Sequence, residues 1–144
     1  MPPDLRKIYD GFAETYEANR GLFDMSGLLE PFFHRLPPRP GRLLDLGCGA
    51  GAPFPRFFLD RGWHVTGVDF SPRMLELAAR YAPRMHTLCA DLADVDFPPA
   101  AFDAVTCIYA LFHVPRARHP PLFQRLFRWL RPGGKVLFTY ATRD

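Results

Sequence analysis

The sequence predicts an α/β fold, a parallel β-sheet covered by helices on both faces. Three observations predict it. Short apolar segments alternate with longer segments whose apolar residues recur at helical spacing. Glycines close the first of these apolar segments, at Gly47, Gly49 and Gly51. A proline-rich break, RLPPRPG (Arg35 to Gly41), sets an N-terminal helical part apart from this alternation, because adjacent prolines exclude both helix and central strand.

The elements follow in order. Ile8, Phe12 and Tyr16, then Leu28, Leu29, Phe32 and Phe33, define two N-terminal helices, the second weakened by Gly27 and Pro31. Residues 1–40 are thus expected to form a helical cap on a unit spanning 41–144. RLLDLG (Arg42 to Gly47) is a strand. PFPRFFLDRG (Pro53 to Gly62) is a helix with prolines in its first turn and a glycine stop. HVTGVDF (His64 to Phe70) is a strand. SPRMLELAARYA (Ser71 to Ala82) is a helix with Ser71 as N-cap and Pro72 in the first position. MHTLCA (Met85 to Ala90) and FDAVTCIYAL (Phe102 to Leu111) are strands. PLFQRLFRWLR (Pro121 to Arg131) is a helix, and GGKVLFTYA (Gly133 to Ala141) is a strand.

The bulk numbers narrow the function classes. With 144 residues, 48% of them apolar, the chain suffices for one domain with a core. The N-terminal MPPDLRKIYDGF has no apolar stretch of the secretory kind, and no apolar run spans a bilayer. The net charge of +3 comes from scattered basic residues, so neither a nucleic-acid footprint nor a membrane partner is expected. Cys48, Cys89 and Cys107 form no C-x-x-C pair; they read as buried small hydrophobes in a cytoplasmic protein. No metal-ligand spacing occurs, so no metal is expected.

Ligands of such folds bind beyond the carboxyl ends of the strands. The loop Asp45-Leu46-Gly47-Cys48-Gly49-Ala50-Gly51 lies at the first of these ends. Its glycines allow close backbone approach to a ligand. With Ala52 it also satisfies the tolerated G-x-G-x-x-A form of the dinucleotide fingerprint, so the loop alone leaves NAD open. Asp45 shifts the balance. A carboxylate here attracts a cationic ligand and repels a pyrophosphate; the competing role is capping of loop N–H groups. Asp69 ends the second strand, where a carboxylate accepts both ribose hydroxyls of an adenosine. Phe70 and Met74 follow, beside an adenine ring or, for Met74 equally, in the core. Asp91 follows the third strand, placed to accept an adenine amino group with Leu92 against the ring; Asp94 and Asp96 read as solvated loop charges. The fourth strand ends in Cys107, Ile108 and Tyr109. Just beyond, His113 has three competing roles: general base, ligand contact or loop histidine.

LLDLGCGAG, VTGVDFSPRMLELA, FDAVTCIYALFHVP and LRPGGKVLFT, in this order, resemble the class I S-adenosylmethionine-dependent methyltransferases, in the branch acting on small molecules. The resemblance runs from about Ile8 to Thr139. It implies a Rossmann-like doubly wound sheet of order 3-2-1-4-5, and methyl transfer from S-adenosylmethionine to a small-molecule acceptor, leaving S-adenosylhomocysteine. Carried over by motif, Asp45, Gly47, Gly49 and Gly51 surround the methionine part; Cys48 of the same loop is also expected to contact the cofactor. Asp69 holds the ribose, with Phe70 beside the adenine, and Asp91 and Leu92 bind the adenine edge. Ile108 and Tyr109 lie below the sulfonium. The opening YDGFAETYEANR resembles the family's cap, in which Tyr16 and Arg20 cover the cofactor, Arg20 pairing its carboxylate. Tyr9, Phe12, Tyr109, Phe112, His113 and Tyr140 line an acceptor site or belong to the core. One departure stands out. The family sheet continues past its fifth strand with a helix and an antiparallel hairpin, which this chain is expected to lack. The apolar fifth strand is then an exposed edge that invites pairing with a second copy. The alternative expectation is therefore a shortened cofactor-binding module without turnover, completed by dimerisation.

Overall fold

The computed structural model describes residues 26–51, 54–108 and 114–138. The elements are α1 (Ser26–His34), β1 (Arg42–Leu46), α2 (Phe54–Leu59), β2 (His64–Asp69), α3 (Pro72–Tyr81), β3 (His86–Cys89), β4 (Phe102–Cys107), a 3-10 turn (Arg116–Arg118), α4 (His119–Trp129) and β5 (Leu130–Phe138). The five strands form one sheet of order β3-β2-β1-β4-β5, and every neighbouring pair is parallel. The expected fold class and strand order are both present.

Alternation along the strands builds a core on each face. On β1, Leu43 packs with Leu29, Phe32, Phe58, Trp63 and Ala78, the layer of α1, α2 and α3. Its neighbours Leu44 and Leu46 face the opposite way, onto Leu122, Leu126 and Trp129 of α4. Each fully buried leucine or phenylalanine contributes about 1.5–3 kcal/mol over its exposed state. Tertiary packing also explains α1, which forms despite Pro31. Phe32 meets Phe58, and Phe33 meets Phe57 and Trp63, in aromatic contacts that outweigh a weak helix propensity.

Several boundaries differ from the sequence expectation. The helix expected from Pro121 starts at His119, since Pro120 and Pro121 fall in a first turn whose N–H groups have no helical acceptor. β5 starts at Leu130 rather than Gly133. Leu130 pairs with Phe102, the register then shifts, and Lys135 pairs with Ala104. Pro132, which has no N–H, and Gly133, at φ 83°, take up the resulting bulge. Cover on both faces reaches β1, β2 and β4 but not the edges. Every residue of β3 is exposed, so Cys89 is not the buried hydrophobe expected of it, whereas Cys48 and Cys107 are buried. β5 is the opposite edge, with Phe138 partly exposed. No helix among the described residues is long and apolar enough to cross a membrane.

Candidate functional site

The carboxyl ends of β1, β2 and β4 converge on the glycine loop. Sheet register sets the chemistry there. Asp45 pairs with Thr106 of β4 on one side and with Gly67 of β2 on the other. Side chains at paired positions of parallel strands share a face. Thr106 accordingly donates its hydroxyl to Asp45 Oδ1 at 2.6 Å. Asp45 is 1% exposed, and its Oδ2 has no hydrogen-bond partner among the described residues. Burial pushes the Asp45 carboxyl up to about 7; the Thr106 bond opposes that rise and the nearby Asp69 charge adds to it. A buried carboxylate oxygen left unpaired costs free energy unless a donor or cation meets it. The alternative role for Asp45, capping loop N–H groups, falls elsewhere.

It falls to Asp69. Its Oδ2 accepts from the Gly49 N–H at 2.9 Å, and its Oδ1 from the Ser71 N–H at 3.0 Å. The Val68 carbonyl accepts from both Gly47 and Cys48. The second strand thus holds the glycine loop from below. Ser71 caps α3 as expected, accepting from the Met74 N–H at 3.2 Å.

Gly47, Gly49 and Gly51 all have positive φ, at 85°, 55° and 91°. At Gly49 a Cβ would meet no atom of the described residues within 4 Å, so the loop is open there among them. Gly51 is confined instead, since a Cβ there would lie 2.6 Å from that of Ala82 in the turn after α3. Gly67 has a comparable duty beneath the loop. Its Cβ would fall 2.7 Å from Cys48 Cβ and Sγ and from Met85 Sδ. Gly67→Ala should therefore destabilise the fold by about 1–3 kcal/mol, read as a lower urea midpoint at constant slope.

The remaining expected residues divide. Phe70, Met74, Leu92 and Ile108 are buried, with Met74 packed among Ala50, Leu77 and Tyr81. Asp91 opens a turn after β3 and accepts from the Ala93 N–H through Oδ1 at 2.9 Å. Asp94 and Asp96 are exposed but not merely solvated. Asp94 pairs with Arg118, and Asp96 accepts from Trp129 Nε1 at 2.7 Å and from Arg128. The Trp129 bond, with the Phe97 N–H and Arg128 behind it, holds the Asp96 carboxyl below the usual carboxylate range. Tyr9, Phe12, Tyr16, Arg20, Tyr109, Phe112, His113 and Tyr140 lie outside the described residues. Thr106, Gly67 and Ser71 complete the site's support. Of these, Thr106 was legible as a polar residue inside an apolar strand, yet nothing in the sequence named its partner.

A glycine loop between a buried acid and a second acid at adjacent strand ends defines a nucleoside-cofactor domain of the doubly wound type. The family model of a methyltransferase domain matches residues 43–134. The chain is 37% identical over 149 residues to a malonyl-[acyl-carrier protein] O-methyltransferase of Enterobacter lignolyticus, covering 100% of this chain and 57% of that protein. It is 32% identical over 157 residues to the 27-O-demethylrifamycin SV methyltransferase of Amycolatopsis mediterranei, covering 94% and 57%. Among solved structures, an S-adenosylmethionine-dependent methyltransferase from Mesorhizobium loti superposes with TM-score 0.66 at 32% identity, over 76% of this chain and 51% of that one. The chain belongs to the class I S-adenosylmethionine-dependent methyltransferase family. It spans a little over half the length of these relatives.

Proposed function

We propose that this domain binds S-adenosylmethionine and serves methyl transfer to a small-molecule acceptor. The observation that carries the reading is Oδ2 of Asp45, buried and without a partner among the described residues, beside a glycine loop that those residues leave open at Gly49. A cofactor with an ammonium and a sulfonium fits this donor set; a pyrophosphate does not. The proposed ligand set is Asp45 with the loop Gly47, Cys48, Gly49 and Gly51 for the methionine part, Asp69 for the ribose, and Phe70, Asp91 and Leu92 for the adenine. Met74 supports the wall from the core side, and Ile108 closes the floor.

The bound cofactor supplies an already activated methyl group, so the protein's task is proximity and alignment. The loop backbone, tied to Asp69 and Val68, is held rigid before a ligand arrives, which lowers the ordering cost of binding. An acceptor that loses a proton needs a base in addition; His113 is the sequence candidate for that role. The curated relatives named above methylate a protein-bound malonyl group and a rifamycin, both at oxygen by their names. An oxygen acceptor on a small or carrier-bound acid is accordingly the first class to screen.

A thermal-shift comparison tests the cofactor directly. S-adenosylmethionine or S-adenosylhomocysteine should raise the melting temperature where NAD leaves it unchanged; ligand at 100 times its dissociation constant adds about 2.7 kcal/mol. A shift with NAD alone, or with none of the three, would refute the reading.

A further inference from the structure

We propose that Arg118 and Arg125 are positioning residues for the adenine ring, acting through the turn that begins at Asp91. The inference rests on the S-adenosylmethionine reading above and adds to it a second group of residues, outside the ligand set.

The segment between β3 and β4 contains no helix or strand, although it carries Asp91 and Leu92 at the rim of the site. Such a segment needs external support to hold a ligand-facing geometry. Its own turn supplies part of it: the Asp94 N–H donates to the Asp91 carbonyl at 3.0 Å, and the Ala93 N–H donates to Asp91 Oδ1 at 2.9 Å. The Ala93 carbonyl then accepts two guanidinium donors, Arg118 Nη2 at 2.9 Å and Arg125 Nη2 at 2.8 Å. Arg125 also donates through Nε to the Val95 carbonyl at 3.1 Å. Both arginines come from the opposite side of the fold in sequence, the 3-10 turn and α4.

The arrangement exceeds what packing of the segment requires. Leu92, Ala93 and Val95 are already buried in the α4 core, and Asp96 is already held by Trp129 and Arg128. A charged donor makes a stronger bond than a neutral one, and two of them saturate both lone pairs of one carbonyl. Arg118 also bonds Asp94, but both side chains of that pair are about half exposed or more, so its ion-pair contribution is small. The carbonyl contacts are what constrain the turn. Holding Ala93 fixes the residue whose N–H orients the Asp91 carboxylate. The consequence is selectivity: Asp91 is kept in place to accept from an exocyclic amino group, and a base bearing an oxygen there meets a carboxylate with no proton to share.

Calorimetry with S-adenosylhomocysteine and S-inosylhomocysteine, which differ in the exocyclic amino or oxo group and the N1 proton that accompanies the oxo form, tests the proposal. The wild-type chain should bind the adenosyl ligand about tenfold or more tightly than the inosyl one. Arg125→Met and Arg118→Gln should each lose about threefold for the adenosyl ligand, and the double variant about tenfold. Affinity for the inosyl ligand should stay nearly constant, so that the preference shrinks stepwise. Arg125→Lys, which keeps one cationic donor, should recover part of it. Variants with reduced affinity for both ligands and the preference intact would overturn the proposal, because a merely structural role lowers both alike. So would a wild-type chain without a preference, while leaving the cofactor reading in place; a wild-type chain that binds neither ligand overturns that reading itself. Arg118→Gln alters an exposed side chain and keeps the test available if the double variant does not fold.

Discussion

Asp45→Asn is expected to raise the melting temperature of the ligand-free protein at pH 8 while weakening S-adenosylmethionine binding by about 10- to 100-fold. The two effects share one cause. The Asp45 carboxyl sits at about 7 in the fold, against an ordinary value of 3.8. A carboxyl raised in this way stabilises the folded state fully below the ordinary value, and that contribution is lost as pH rises through 7. Once ionised, the buried group costs the fold about 4 kcal/mol. Asparagine removes the charge, keeps an acceptor for Thr106, and leaves an amide N–H₂ in place of the orphaned oxygen, at a cost of about 1–3 kcal/mol. The balance at pH 8 favours the variant by about 1–3 kcal/mol. At pH 4, where Asp45 is protonated, the advantage should vanish.

The cofactor reverses the balance. On the proposed reading its ammonium would supply the donor for Oδ2, and a neutral asparagine would not match a carboxylate there. Binding should therefore draw the Asp45 carboxyl below 7, release about half a proton at pH 7, and tighten as pH rises from 6 to 8. Calorimetry in buffers of different ionisation enthalpy reads the proton directly. Equal pH dependence in the wild type and Asp45→Asn would show that Asp45 is not the titrating group.

Asp69→Ala is the second large effect. Its carboxylate joins the loop to the next helix through the Gly49 and Ser71 N–H groups. Truncation leaves two donors without their acceptor and removes the proposed ribose contact together. The fold should lose about 2–4 kcal/mol, and affinity for S-adenosylhomocysteine should fall by about 100-fold or more. Asp69→Asn separates the two roles, since it retains one acceptor oxygen and substitutes a donor for the other. It should recover part of the stability and little of the affinity. Affinity within about threefold of wild type in Asp69→Ala would exclude a ribose role for this residue.

The site was partly legible in the sequence, and the boundary is physical. The glycines, Asp45 and Asp69 were readable because strand ends in an alternating α/β chain identify the ligand side without any coordinates. What each acid does was not readable. The loop-capping role weighed for Asp45 belongs to Asp69, because Val68 and Asp69 of the neighbouring strand lie beneath the loop. Asp96 looked like a solvated charge, since nothing local reveals that Trp129 donates to it across the fold. Leu130 looked like the end of a helix, and only pairing with Phe102 makes it the start of β5.

Local rules alone determined the fold class, the Ser71 cap, the break at Arg35 to Gly41 and the positions of the glycine turns. Each depends on residues a few places apart, whose periodicity, missing N–H groups or freedom at positive φ are intrinsic to the chain. The tertiary structure decided everything that depends on register. It set Asp45 against Thr106, left Oδ2 of Asp45 buried and without a partner among the described residues, and brought Arg118 and Arg125 to the Ala93 carbonyl. Those contacts join residues far apart in sequence, and no spacing along the chain encodes which strand position will lie opposite which.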